Sequence, residues 1–297
     1  MDKCINDFFL LGKEIKISEE FENCNSTVCK GKSQDKGKSL YEVLRISDGI
    51  PIFLFEHLKR LENSAKIMKY SLSITRDEII NGIITLINKN KVRDGNLKLV
   101  VNYIPSDNND SNEKFLAYFV PHFYPTKEQY QQGVKTITYH GERSNPNAKV
   151  VNDDFRAKVN EKIKNENVYE AILVDNAGFI TEGSKSNIFM VKGSTVVTSK
   201  VENVLPGITR QFIIKACESL KIDFEEKNIH ESELESYNGL FISGTSPSVL
   251  PINKVDGISF DSAKNSIINS IMKEYDSELN ENKEKFVKFT SNNTINK

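Results

Sequence analysis

The chain reads as a two-domain protein of mixed α/β (α+β) class, on three observations. Its 297 residues can bury one large core or two ordinary ones. Short apolar runs at strand spacing alternate with segments of helical periodicity. Between Pro121 and Gly133, two prolines and several polar residues interrupt that pattern. Together these predict a small N-terminal α+β domain at 1–122, a linker at 123–133, a larger C-terminal mixed α/β domain at 134–278 and a polar, frayed tail at 279–297.

The elements follow in order. Residues 41–46 and 50–54 read as paired strands around Asp48-Gly49, a strong hairpin signal. A helix from about Glu56 to Tyr70 puts Leu58, Leu61, Ala65 and Met68 on one face. A second, near 76–90, carries Ile79, Ile80, Ile83, Leu86 and Ile87. Strands at 97–104 and 115–121 are joined by a loop rich in Asn, Asp and Ser. This half predicts antiparallel strands with helices on one side. The second half alternates strands at 134–139, 169–174, 187–191, 195–199 and 239–243 with helices near 150–165, 209–220 and 261–275.

Composition narrows the function. The net charge of −1 favours neither nucleic acid nor an anionic membrane as a main partner. No apolar run approaches the roughly eighteen residues of a membrane span. The N-terminus lacks the basic-then-apolar layout of a signal peptide, so a cytoplasmic address is expected. Cys4, Cys24, Cys29 and Cys217 have neither C-x-x-C nor metal-ligand spacing, so no metal is expected. The Asn-x-Ser/Thr matches at Asn25, Asn109 and Asn292 carry little weight without a secretory signal. Gly31 to Ser39 resembles a phosphate loop, but has five residues where the pattern wants four, and a β-run follows where a helix should start. It reads as a solvated lysine-rich loop.

The chemistry gathers elsewhere. Glu182 lies among small residues in Ile180-Thr181-Glu182-Gly183-Ser184-Lys185-Ser186-Asn187, between two strand-like runs. A carboxylate at such a place needs a partner. Leu205-Pro206-Gly207-Ile208-Thr209-Arg210 opens a helix, whose unpaired N–H groups and dipole favour an anion. Ser243-Gly244-Thr245-Ser246 follows an apolar strand and adds hydroxyls. A lysine, a carboxylate and phosphate-binding groups are what a pyridoxal 5'-phosphate site requires: an amine for the aldehyde, an acid for the ring nitrogen, donors for the phosphate.

These segments resemble the class IV aminotransferases, the fold-type IV pyridoxal-phosphate enzymes. That family includes branched-chain and D-amino-acid aminotransferases and aminodeoxychorismate lyase. The resemblance runs from about Ser39 to Ser259. It rests on Tyr41-Glu42-Val43-Leu44-Arg45, on Glu56 to Ala65, on Tyr169 to Leu173, on Thr181-Glu182-Gly183 with Ser186-Asn187-Ile188-Phe189, and on the Leu205–Arg210 and Ser243–Ser246 segments.

The resemblance implies a small N-terminal α+β domain, a C-terminal α/β pseudo-barrel with the cofactor between the domains, and a homodimer. It places Lys149 at the Schiff-base lysine, which, once freed, is the base that moves the substrate's Cα proton. It places Glu182 at the pyridine nitrogen, Leu205 beneath the ring, and Arg60, Ile208, Thr209, Gly244 and Thr245 at the phosphate. Tyr41 and Ser246 fall at the substrate. Arg156, seven residues after Lys149, would share a helical face with it if the helix begins there, and would help bind a carboxylate. Two departures stand out. The strand Leu97-Lys98-Leu99-Val100-Val101-Asn102-Tyr103 has neither the arginine nor the histidine of the D-amino-acid enzymes, and Val150 to Arg156 matches neither the branched-chain nor the lyase pattern. The expected function is amino transfer between a small amino acid, branched-chain or D, and a 2-oxo acid. The alternatives are lyase-type elimination and, more remotely, a non-catalytic descendant acting as a binding protein.

Overall fold

Alternating side chains in the first strands decide which face of each sheet is covered. The computed structural model describes residues 3–24, 39–104, 112–143 and 145–294. Most of the Gly31–Ser39 loop, Cys29, Asn25 and Asn109 lie outside the described residues. Two compact units form: one of 1–122, 148–151 and 282–297, the other of 123–147 and 152–281.

In the first unit, β1 (Phe8–Leu11), β2 (Glu14–Ile17), β3 (Ser39–Ser47), β4 (Ile50–Pro51), β5 (Gly95–Ile104) and β6 (Asn112–Val120) form one antiparallel sheet, ordered β2-β1-β6-β5-β3-β4. Asp48 and Gly49 both take positive φ (55° and 78°), as a two-residue hairpin turn requires, and set the β3–β4 register. Leu40, Leu44, Leu97, Leu99, Val101 and Phe119 pack against α1 (Leu54–Ile67) and α2 (Arg76–Asn90). The alternate residues Tyr41, Val100, Leu116 and Tyr118 form a separate apolar cluster with Phe9 and Phe21. Thr75 and Glu78 close a capping box that starts α2.

Two corrections belong to this unit. The segment expected to open a helix near residue 150 is extended instead. Tyr41 N donates to Lys149 O (3.0 Å) and Val151 N to Ser39 O (2.9 Å), which fixes Lys149 alongside β3. The tail expected to fray at 279–297 is helical to Thr294, within α6 (Ser266–Thr294). The reason is a sparse apolar stripe: Phe286 is buried in the first unit's core and Phe289 packs edge-on against Phe55. Lys283 bonds Asp48 at 2.8 Å, and Asn282 accepts from Phe53 N at the start of α1.

In the second unit a ten-stranded sheet is ordered β12-β11-β10-β14-β15-β7-β8-β9-β13, with β16 on β15. Its strands are β7 (Val134–His140), β8 (Glu170–Val174), β9 (Phe179–Gly183), β10 (Asn187–Lys192), β11 (Thr195–Thr198), β12 (Asp223–Glu226), β13 (Ile229–His230), β14 (Gly239–Gly244), β15 (Ser248–Val255) and β16 (Ile258–Ser259). The pairings β15–β7, β7–β8 and β11–β12 are parallel. Ile172, Ile188, Met190, Leu240, Ile242 and Leu250 build its core. A short α3 (Lys127–Gln132), closed by a Thr126–Gln129 capping box, occupies the expected linker. Helices α4 (Asp153–Glu166) and α5 (Ile208–Ser219) and the part of α6 up to Glu281 also belong to this unit. Among the described residues no helix is long and apolar enough to cross a membrane.

Candidate active site

In the first unit the site residues stand on both faces of one sheet. Glu42 occupies the β3 phase otherwise filled by Leu40, Leu44 and Ile46, so its carboxylate enters the helix-covered core and is wholly buried. There it accepts from Arg60 Nε (2.8 Å) and Nη2 (2.7 Å), and lies 2.7 Å from His57 Nδ1. Arg60 and His57 lie on one face of α1, three residues apart. Burial alone would push the Glu42 carboxyl up, but the Arg60 guanidinium and His57 bring it down to about 2. Burial pushes the His57 imidazole down against the pull of Glu42, and the charges of Arg60 and Lys149 push the same way.

On the opposite phase of β3, Tyr41 is buried beneath the lysine. Lys149 Nζ stands 4.8 Å from the centre of the Tyr41 ring, and Lys149 N lies 3.3 Å from Ser64 Oγ on α1. Tyr41, Lys149 and Arg60 therefore fall within one local assembly around β3 and α1.

In the second unit Glu182 is a buried carboxylate at the end of β9. Its Oε1 accepts from Arg143 Nη1 (2.9 Å) and its Oε2 from Leu205 N (3.0 Å). The next turn wraps a second buried carboxylate. Glu170 Oε1 accepts from Lys185 N (2.6 Å), Ser186 Oγ (3.0 Å) and Ser184 Oγ (3.3 Å), while burial pushes its carboxyl up. Gly183 is needed here, because a Cβ would stand 2.7 Å from Glu170 Oε1.

Asn187 links this turn to the start of α5. Its Nδ2 donates to Leu205 O (2.9 Å), and its Oδ1 occupies the place a Cβ on Gly207 would take. Gly207 caps α5 without a side-chain hydrogen bond, and the first turn holds no acidic residue. Ile208 and Thr209 are its first two residues, both buried, with Thr209 Oγ1 3.4 Å from the Tyr275 hydroxyl. Residue 187 pairs with Ser243 across β10–β14, and a Cβ on Gly244 would lie 3.6 Å from Lys185 O. Ser243 Oγ is buried without a hydrogen-bond partner. A helix start with no side-chain cap and an orphaned hydroxyl beside a glycine suit an incoming phosphate.

The structure thus gathers Glu182, Leu205, Ile208, Thr209 and Gly244 in the second unit, with Thr245 and Ser246 in the turn that follows β14. It corrects the expectation for Arg156. That residue lies on α4, which begins at Asp153, whereas Lys149 belongs to an extended segment, so the two share no helical face. Sequence reasoning assigned no role to Glu42, His57, Arg143, Glu170 or Asn187. Only Glu42 left a local trace, as a polar residue at an apolar phase of its strand.

Comparison with known proteins gives a consistent result. The amino-transferase class IV family model matches residues 39–255. The D-alanine aminotransferase of Bacillus licheniformis is 32% identical over 228 residues, covering 74% of this chain and 80% of that protein. The crystal structure of the Escherichia coli branched-chain amino acid aminotransferase superposes with a TM-score of 0.79 at 24% identity, covering 90% of this chain and 93% of that one. The branched-chain enzyme of Thermobaculum terrenum, crystallised in its PLP form, gives 0.79 at 18% identity over 95% of this chain and 96% of its own. At these identities the two superpositions establish the fold.

Proposed function

The chain belongs to the class IV aminotransferases, and from that membership we propose that it moves an amino group between a small amino acid and a 2-oxo acid, with pyridoxal 5'-phosphate as cofactor. When bound, pyridoxal phosphate supplies an aldehyde for the substrate amine and a protonated ring that draws electrons from Cα. The observation that carries the reading is the setting of Glu182. Its carboxylate is buried, held by Arg143 and by the N–H of Leu205, the residue three before α5. A guanidinium on one oxygen favours the ionised form, which a group keeping a pyridine nitrogen protonated must have.

The other residues take their roles around it. The N–H groups of Ile208 and Thr209, the Thr209 hydroxyl, Gly244 and Thr245 would receive the phosphate, with the Arg60 guanidinium adding charge. Leu205 would support the ring from below. Lys149 would hold the aldehyde carbon and, once released by the substrate amine, carry the proton from Cα. Tyr41 and Ser246 would border the substrate. Arg156 has no part in this reading. The reading extends to a cytoplasmic homodimer, and sedimentation equilibrium of the holoenzyme checks the assembly.

The test is a half-reaction screen. Holoenzyme is mixed with single L- and D-amino acids in the absence of any oxo acid, and the cofactor's visible absorbance is followed. Loss of absorbance with a matching 2-oxo acid product supports transamination and reports handedness. A cofactor spectrum that no amino acid alters, together with pyruvate release from aminodeoxychorismate, would replace it with the lyase reading.

A further inference from the structure

Asn147 ties together the two arms that grip Glu182. One arm is Arg143, whose Nη1 donates to Glu182 Oε1 at 2.9 Å; the other is Leu205, whose N donates to Oε2 at 3.0 Å. The Asn147 side chain closes the circuit between them. Its Nδ2 donates to Val201 O and to Val204 O, both at 2.8 Å. Val204 is the residue before Leu205, and Asn147 lies on the same short segment as Arg143. A carboxamide suits this place because one nitrogen carries two hydrogens, so a single side chain serves two carbonyls. Pro146 and Asn147 form a turn, and the fixed φ of the proline stiffens the segment where the amide leaves it. All of these residues belong to the second unit.

We propose that Asn147 is a positioning residue for amino transfer: it holds Arg143 and Leu205 in place against each other, and through them the Glu182 carboxylate at the ring nitrogen. The inference rests on the transaminase reading and adds to it the group that keeps the acid aimed. A buried carboxylate gripped from two sides keeps its place only if the two sides keep theirs. Arg143 and Leu205 both stand on irregular backbone, where no helix or strand ladder fixes one against the other. The paired bonds of Asn147 supply that fixation. Without them the two arms can move apart, and a displacement of about 1 Å at a reacting group is enough to lower a rate on the order of 100-fold. Lys149 follows two residues later, so the same clamp fixes the start of the segment that carries the amine.

The experiment compares Asn147→Ala, which removes both donors, with Asn147→Asp, which keeps the shape but turns oxygens toward two carbonyls. Each holoenzyme is prepared with cofactor carrying an isotope-labelled ring nitrogen. The chemical shift of that nitrogen is measured beside the single-turnover rate and the half-saturating amino-acid concentration. In both variants the ring-nitrogen shift should move away from the wild-type value. The single-turnover rate should fall about 10- to 100-fold, with the half-saturating concentration within about threefold of wild type. A side chain that only filled space would leave Asn147→Asp like wild type. If neither variant folds, Asn147→Ser, which keeps one donor, is read in the same way and should show the smaller change. A wild-type shift and rate in any folded variant overturns the proposal, and so does a loss of stability with both readings unchanged. Wild-type holoenzyme that transfers no amino group would sink the transaminase reading, whereas active wild type with variants equal to it would sink only this one.

Discussion

Glu42→Gln is the substitution with the most calculable consequence. The carboxylate is wholly buried, and its pKa falls from an ordinary 4.5 to about 2 beside Arg60 and His57. At about 1.4 kcal/mol per pH unit, the ionised form contributes about 3 kcal/mol to the folded state near neutrality. A folded pKa below the unfolded one gives stability that is present above the unfolded value and lost as pH falls toward the folded one. The window therefore runs from about 4.5 down to about 2. Glutamine removes the charge and leaves the buried Arg60 guanidinium without its counter-ion, a change that costs about 3–5 kcal/mol when a buried pair is broken. The chain has no tryptophan, so amide exchange of β3 and α1 peptides is the suitable readout. Wild type should be the more stable by about 3 kcal/mol near neutral pH, with about half of that advantage gone by pH 3. Equal protection of the two proteins, or a difference that does not change with pH, would refute the reasoning.

Two further outcomes follow from the same structure. Glu182→Gln keeps an acceptor for Leu205 N but removes the charge facing Arg143; cofactor affinity should hold while the single-turnover rate falls on the order of 10²-fold, and an unchanged rate would remove Glu182 from its role. Phe286→Ala removes a buried ring from the first unit's core and should cost about 3 kcal/mol in a urea titration, whereas a frayed tail would make the substitution neutral.

The α/β class was legible because its signals are local. Ile79, Ile83 and Leu86 repeat at helical spacing, and Asp48-Gly49 sits where two strands must turn. The strands β1, β2, β9, β12, β13, β15 and β16 were not read: all but β9 and β15 have four residues or fewer and hold a ladder only through distant partners, while β15 carries Pro251 and a register shift between Ile252 and Lys254. The second half of the last helix was missed because Phe286 and Phe289 are sparse apolar residues in a polar stretch, and their burial depends on a core assembled from the other end of the chain. The site divides in the same way. The segments holding Glu182 and the start of α5 stand out as motifs, but the hydrogen bond between Glu182 and Leu205 spans 23 residues and the Arg143 contact spans 39. Lys149 was placed by spacing within a resemblance, and its backbone pairing with β3 had no sequence signature.

The central claim is that Lys149 carries the cofactor, and one chemical measurement addresses it. Holoenzyme reduced with borohydride is digested, and the lysine bearing the reduced cofactor is located by mass spectrometry. The account predicts the modification on Lys149 at one per chain, and its absence from a Lys149→Ala protein. Modification of any other lysine in wild type, or cofactor trapped equally well by Lys149→Ala, would contradict it.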